Sequence, residues 1–343
     1  MDNRKRRKKR KKRGAHGRGR LIAILIVVAF VLILGTVLFI LLRNTPERRY
    51  ERQVASGDAQ YAEGAYSQAA TAYEAALEID AQGAAAYSGL VKAYGAEANA
   101  QGVSDAFSRA SAHLSPAELQ TLQSETATEL SGIAEQLFAA GDYDRVREIA
   151  AGLSAVDADA AYRITDRVIE ATAPAIGSTV NFGTWMGAPL SWRVLNRDGG
   201  QILLLCEQLV DTRPFTETHI GVAWEYCTLR KWLSTEFFSN AFSIAEQNRI
   251  AAVMAENPAN PSDPQTVTRK STEERIYIFS MQETERYLPT EADRVSTGAY
   301  WTRTSANRSE SGAVMVSPEG AFQTVDARDV AAGVRPVLWM ILE

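Results

Sequence analysis

Apolar residues recur at three- and four-residue spacing along residues 50–172, which are rich in alanine and are interrupted at glycine and aspartate. This spacing puts the apolar side chains on one face of a helix, so it predicts a series of amphipathic α-helices. From Gly177 onward the pattern changes to short apolar runs with β-branched and aromatic residues, as in LSWRVLNRDGGQILLLCEQLV. These runs predict strands, NRDGG predicts a hairpin turn, and SIAE (243–246) and SMQETERYL (280–288) predict short helices. The second region is therefore expected to be an α+β domain.

The helical region contains a repeat. YAEGAYSQAATAYEAALEID, residues 61–80, places Gly64 at a turn and Tyr73 at a packing position. Residues 130–157 repeat this arrangement with Gly141 and Tyr143, and a weaker unit lies between the two. The pattern resembles tetratricopeptide repeats, whose stacked helix pairs usually bind peptides or partner proteins on a concave face. A protein or peptide partner is one interpretation of this stack, and a spacer without a ligand is the other, since no cluster of Lys, Arg or Asn is visible on one helical face.

The N-terminal region combines a basic segment with an uncharged one. Residues 1–20 hold 12 of the 37 Lys and Arg, and residues 21–42 hold no charged residue. A helix of 22 residues is about 33 Å long, which matches a bilayer core of ~30 Å. The pattern predicts a single-pass transmembrane helix, with the basic tail in the cytoplasm and the rest extracytoplasmic. Nucleic-acid binding is not expected, since the tail has no aromatic residue to stack on a base.

The predicted organisation therefore has five parts. They are a basic cytoplasmic tail (1–20), a transmembrane helix (21–42), a linker (43–49), an all-α tetratricopeptide-like domain (50–172) and an α+β domain (174–343). From Arg43 onward the chain keeps 25 of its 37 basic and 40 of its 41 acidic residues, a formal charge of −15.

The α+β region carries a distinctive run of motifs, among them WRVL (192–195), LRKWL (229–233) and GVRPVLW (333–339). The run resembles an uncharacterised family, a domain of unknown function found in surface and membrane-anchored proteins of Gram-positive bacteria. More distantly, its layout resembles the C-type-lectin-like fold shared with formylglycine-generating enzymes. The resemblance implies no activity. Such sequences usually have serine where Cys227 stands, which implies that this thiol is not a required nucleophile.

Few residues suit catalysis or metal binding. Beyond the tail the chain has two histidines, His113 and His219, without metal-ligand spacing, so we expect neither a zinc site nor a cofactor. Cys206 and Cys227 either form a disulfide or are both buried, and the sequence leaves both possibilities open. Four acids are candidates for glycoside hydrolysis, although nothing singles out a pair: Glu225, Glu283, Asp326 and Asp329. For Asp326 and Asp329 calcium binding is the alternative, but they lack the alternating pattern of oxygen ligands, so a solvated acidic loop is favoured.

The aromatic stretch WEYCTLRKWLSTEFFSNAF, residues 224–242, either forms part of a hydrophobic core or lines a binding site. Its apolar residues at helical spacing predict a core: Leu229, Trp232, Leu233 and Phe237. The presence of a second group of residues is less easily explained by packing in a core: Trp224, Glu225, Arg230, Trp301, Arg303 and Arg335. The arginines either form internal ion pairs with Glu225 or Glu283, or the set borders a cleft. In a cleft, an indole would stack on a sugar or peptide while Arg binds a carboxylate bidentately.

These features favour a membrane-anchored, extracytoplasmic binding or scaffolding protein of the bacterial cell envelope. The helical repeats would bind a protein partner, and the C-terminal domain would recognise a glycan or a cell-wall ligand. Two alternatives are an enzyme acting on the cell wall or on glycans, and an envelope sensor. A binding role is favoured over an enzymatic one.

Overall fold

The computed structural model describes residues 25–36, 44–217, 223–263, 266–306, 312–328 and 330–342. The predicted basic tail, residues 1–20, lies outside the described residues, as do His219 and Asp329. The chain divides into two compact units, Met1–Val168 and Ile169–Glu343.

The prediction of a membrane-spanning helix over residues 21–42 is wrong for the part of the chain that the structure describes. In that part, no helix combines the length and the apolar character needed to cross a bilayer. Residues 25–36, the described part of this segment, are helical and are called α1. The transmembrane component of the predicted fold class and the single-pass membrane localisation are corrected accordingly.

The N-terminal unit is a stack of helix pairs. Its helices are α2 (Pro46–Ala62), α3 (Tyr66–Leu77), α4 (Ala84–Ala96), α5 (Ala100–His113), α6 (Pro116–Ala140), α7 (Tyr143–Leu153) and α8 (Ala158–Thr172). The first three pairs, α2 with α3, α4 with α5 and α6 with α7, are closely packed, and α4 also contacts α2 and α6, while α5 contacts α7. Helices α2, α4 and α6 therefore form one layer of the stack, and α5 and α7 lie in the other.

A residue with positive φ joins the two helices of each of these pairs. The positions are Gly64 (φ 77°), Ala98 (φ 56°) and Gly141 (φ 76°). The second pair has alanine where the other two have glycine, although the left-handed conformation is costly for a residue with a Cβ. The alanine at this turn position explains why the middle unit has the weakest match to the repeat pattern.

The C-terminal unit consists of strands with short helices between them. Its strands are β1 (Thr179–Trp185), β2 (Ala188–Asp198), β3 (Gln201–Cys206), β4 (Thr212–Pro214), β5 (Val253–Asn257), β6 (Arg269–Glu274), β7 (Ile276–Tyr277), β8 (Tyr300–Ser305), β9 (Gly312–Val316), β10 (Phe322–Asp326), β11 (Ala331–Gly333) and β12 (Val337–Ile341). One sheet has the order β1-β2-β3-β12-β7, a second has β10-β9-β8-β11-β4, and β5 pairs with β6. The resemblance to the C-type-lectin-like fold stays a prediction.

The helical segments of this unit separate its strands. They are a 3₁₀ turn (Trp224–Tyr226), α9 (Thr228–Trp232), a π-helical turn (Leu233–Phe237), α10 (Phe238–Ala241), α11 (Ile244–Asn248), α12 (Met281–Tyr287) and α13 (Glu291–Arg294). The two predicted short helices are confirmed as α11 and α12, and each begins with a capping box, formed by Ser243 with Glu246 and by Ser280 with Glu283.

The predicted hairpin is also confirmed, since Asp198 pairs with Gln201 across Gly199 and Gly200, both of which have positive φ. The predicted core residues Leu229, Trp232, Leu233 and Phe237 are at most 6% exposed. The aromatic stretch therefore belongs mainly to the core of this unit.

Candidate functional site

Trp224 and Arg230 meet at a buried carboxylate. The indole Nε1 of Trp224 donates to Glu274 Oε1 at 2.8 Å, and Arg230 Nε donates to the same oxygen at 2.5 Å. The Glu274 side chain is 1% exposed, whereas that of Arg230 is 27% exposed. Arg230 also donates to the carbonyls of Glu225 and Glu273. This network joins the 3₁₀ turn and α9 to β6, and its arginine compensates a charge that could not otherwise be buried.

Arg303 lies in the interior of the same unit. Its side chain, 1% exposed, forms an ion pair with Glu283, one of the two acids that the sequence suggested. The guanidinium also donates to the carbonyl of Ile278 at 2.8 Å and to that of Glu256 at 2.6 Å. Because Glu283 belongs to the capping box of α12, Arg303 connects β8 to the start of that helix and to the end of β5. Its contacts are those of a buried structural ion pair.

A small cavity lies between these two networks. It encloses about 20 Å³ and is lined by Trp224, Glu225, Asn257, Pro258, Asn260, Thr266, Val267, Arg269, Arg303 and Ser305. This volume holds about one water molecule. It is far too small for a sugar ring or a peptide side chain, so this space is not the cleft that the sequence suggested.

The remaining two predicted site residues lie elsewhere. Trp301 is 1% exposed, donates from Nε1 to the carbonyl of Arg213 at 2.7 Å and packs edge-on against Phe215. Arg335, 3% exposed, donates from Nε to the carbonyl of Cys206 at 3.0 Å. The structure thus brings Trp224, Glu225 and Arg303 to one cavity, with Arg230 beside them through Glu274, and places Trp301 and Arg335 at other points of the core.

The two cysteines are free thiols, and both are buried. Burial raises the pKa of Cys206 and of Cys227 to about 12. Since the thiolate is the nucleophilic form of cysteine, neither residue is activated for chemistry at neutral pH. Among the described residues, no group of His, Cys, Asp and Glu is arranged to hold a metal ion.

The N-terminal unit contains a much larger concavity, which we call the groove. It encloses about 720 Å³ and is lined by Val54, Asp58, Tyr61, Tyr73, Ala84, Ala85, Ser88, Gly89, Lys92, Ala117, Glu118, Thr121, Leu122, Glu125 and Glu129. All but Tyr73 belong to α2, α4 and α6, the helices of one layer. The volume falls within the range of about 300–1,000 Å³ typical of ligand pockets.

Two glycines shape the floor of the groove. Tyr73 reaches from α3 towards α2 and α4, where a Cβ on Gly57 would lie 2.5 Å from its ring and a Cβ on Gly89 would lie 2.3 Å from it. Only residues without a side chain leave room for the ring, which is 2% exposed. Its hydroxyl donates to Asp58 Oδ1 at 2.7 Å. The close approach of the helices therefore fixes the position of a carboxylate at the groove.

The polar lining of the groove is organised by two further hydrogen bonds. Tyr61 donates to Glu129 at 3.2 Å, and Ser88 donates to Glu125 at 3.3 Å. Burial, together with the neighbouring Glu129 carboxylate, raises the pKa of Tyr61 to about 12. Burial and the hydrogen bond to Asp58 raise the pKa of Tyr73 as well. Both phenols therefore stay protonated at neutral pH and donate to carboxylates.

Sequence reasoning missed the groove because it looked for a cluster of Lys, Arg or Asn on one helical face. The signal was acidic instead. Glu118, Glu125 and Glu129 are seven and four residues apart, which places them along one face of a helix. Asp58 belongs to the same site but is 60 residues from Glu118, so only the packing of α2, α4 and α6 brings them together.

Residues 199–342 match the family model of a domain of unknown function, DUF6273. This finding confirms the resemblance of the C-terminal region to an uncharacterised domain family. The match begins at the turn between β2 and β3 and ends after β12, so it covers most of the C-terminal unit. The sequence matches no curated protein.

Proposed function

We propose that this protein is a binding or scaffolding protein whose helical unit docks a polypeptide partner in the groove. The observation that carries the proposal is the concavity of about 720 Å³ along α2, α4 and α6. The resemblance to tetratricopeptide repeats supports a polypeptide occupant, since such stacks usually bind peptides on a concave face. The C-terminal unit accompanies this binding function as a second folded module.

The C-terminal unit has less support as the main binding site. Its cavity of about 20 Å³ has no room for a glycan, and its arginines are engaged with internal carboxylates and carbonyls. Among the described residues, no specific observation supports the enzyme alternative or the sensor alternative. The helical unit is therefore the part of the molecule to which we assign the partner.

Filling the groove tests this proposal. Ala85 is exposed and lines the groove, whereas Ala112 is exposed on α5 and is absent from its lining. We expect Ala85→Trp to abolish partner capture, because the indole occupies the space that the partner needs, and Ala112→Trp to leave capture intact. The measurement is affinity capture by the full chain from extracts of the producing cells, with bound proteins quantified by mass spectrometry. Equal capture by both variants would refute docking in the groove.

A further inference from the structure

The groove carries an unbalanced charge. Four carboxylates line it, those of Asp58, Glu118, Glu125 and Glu129, against the single ammonium of Lys92. The formal charge of the lining is therefore −3. Like charges along one surface repel one another and attract a partner of opposite sign. A cationic occupant would be stabilised here, and an anionic one would be excluded.

The carboxylates keep the capacity to bind a cation. Asp58 accepts one hydrogen bond from Tyr73, and Glu129 accepts one from Tyr61. An ionised carboxylate has about four acceptor sites. These tyrosine contacts orient Asp58 and Glu129 and leave acceptor sites on both carboxylates for an ammonium or a guanidinium.

Apolar surface accompanies the acids. Val54 lines the groove from α2, and Leu122 lines it from α6, beside the rings of Tyr61 and Tyr73. Such a surface packs against the methylene stems of Lys and Arg while their charged ends reach the carboxylates. A small metal cation would use only the acids, whereas a basic polypeptide would use both kinds of surface.

The spacing of two of the acids on α6 matches an extended chain. Glu118, Glu125 and Glu129 are seven and four residues apart, so at ~1.5 Å per residue they lie about 10 Å and about 6 Å apart along the helix axis. An extended chain advances ~3.3 Å per residue. Side chains two positions apart point to the same side of such a chain and lie about 7 Å apart, which is close to the spacing of Glu125 and Glu129.

We infer that the groove binds an extended cationic segment of a partner protein, with two Lys or Arg residues two positions apart on one side of the segment. This inference rests on the proposed function and adds the chemistry of the partner. Glu125 and Glu129 would pair with the two cations, and Asp58 and Glu118 would add to their attraction.

A labelled peptide tests the inference. The probe has lysines at the first and third positions of an alanine and serine background, and a second peptide of the same composition has its two lysines adjacent, which places them on opposite sides of an extended chain. Binding to the full chain is followed by fluorescence anisotropy at low salt and at physiological salt. We expect the spaced peptide to bind more tightly than the adjacent one, and salt to weaken both by screening.

Charge-neutralising variants supply the matched control. The groove variant combines Asp58→Asn, Glu125→Gln and Glu129→Gln, which retain acceptors for the tyrosine and serine hydroxyls. The control variant combines Glu97→Gln, Glu148→Gln and Asp166→Asn, which change the net charge equally at exposed positions absent from the groove lining. We expect the groove variant to weaken binding of the spaced peptide about tenfold, and the control to change it by less than about twofold.

The outcomes separate the inference from the proposed function. If Ala85→Trp abolishes partner capture but the groove variant binds the peptide as tightly as the unmodified chain, the groove is a docking site and its cationic specificity is refuted. Equal weakening by the groove and control variants would show non-specific attraction and would also refute it. If the peptide binds only after residues 1–20 are deleted, the chain's own basic segment occupies the groove. That result would refute a partner protein as the occupant.

Discussion

Replacing Arg303 with methionine should destabilise the C-terminal unit by about 3–5 kcal/mol, the typical cost of removing one member of a buried ion pair. The substitution leaves the carboxylate of Glu283 without its arginine, and it removes donors to the carbonyls of Ile278 and Glu256. All six tryptophans lie between residues 185 and 339. Their fluorescence during urea unfolding therefore reports on the C-terminal unit, and the expected result is a transition at much lower urea concentration.

Two further variants distinguish the ion pair from a general effect of losing an arginine. Arg286 is exposed on α12, so Arg286→Met should change the free energy of unfolding by no more than about 0.5 kcal/mol. Adding Glu283→Gln to Arg303→Met should recover part of the lost stability, because the amide removes the uncompensated charge and still serves the capping box. If Arg303→Met unfolds like the unmodified chain, the assignment of Arg303 to a structural ion pair is wrong.

Replacing Gly89 with alanine should destabilise the helical unit by about 1–3 kcal/mol through overpacking, although alanine is the better helix former. The added Cβ would lie 2.3 Å from the ring of Tyr73, which is buried and cannot move without disturbing the packing around it. Displacing the ring would also break its hydrogen bond to Asp58. Far-UV circular dichroism during thermal unfolding measures the effect, since this unit is helical and has no tryptophan.

Gly132 provides the matched control for this prediction. It lies within α6, and a Cβ added there would meet no atom within 4 Å. We therefore expect Gly132→Ala to stabilise the unit by about 0.5–1 kcal/mol, the usual gain from replacing glycine inside a helix. Stabilisation by both substitutions would contradict the tight fit of Tyr73 against Gly89.

Features that depend on neighbouring residues were predictable from the sequence. The Gly199–Gly200 turn follows from the need for positive φ in a two-residue hairpin. The capping boxes at Ser243 and Ser280 follow from a serine placed three residues before a glutamate.

Features that depend on distant residues were not predictable in the same way. Glu274, which accepts from Trp224 and Arg230, lies 50 and 44 residues from them. A local signal for its burial exists, since Thr272, Glu274 and Ile276 alternate along the chain and are all buried. The identity of its partners depends on tertiary packing. The groove is a similar case, because its acids come from α2 and α6 and acquire a common site only when α4 packs between these helices.

Photo-crosslinking tests the central claim, that the groove is the partner-binding site, most directly. In one variant of the full chain, a photoreactive amino acid replaces Thr121, which is exposed in the groove. In a second variant, it replaces Val267, which is exposed at the cavity of the C-terminal unit. After irradiation in the producing cells, crosslinked products are identified by mass spectrometry. The account predicts a polypeptide crosslinked at position 121, through a segment rich in Lys and Arg. Crosslinks confined to position 267 would contradict it.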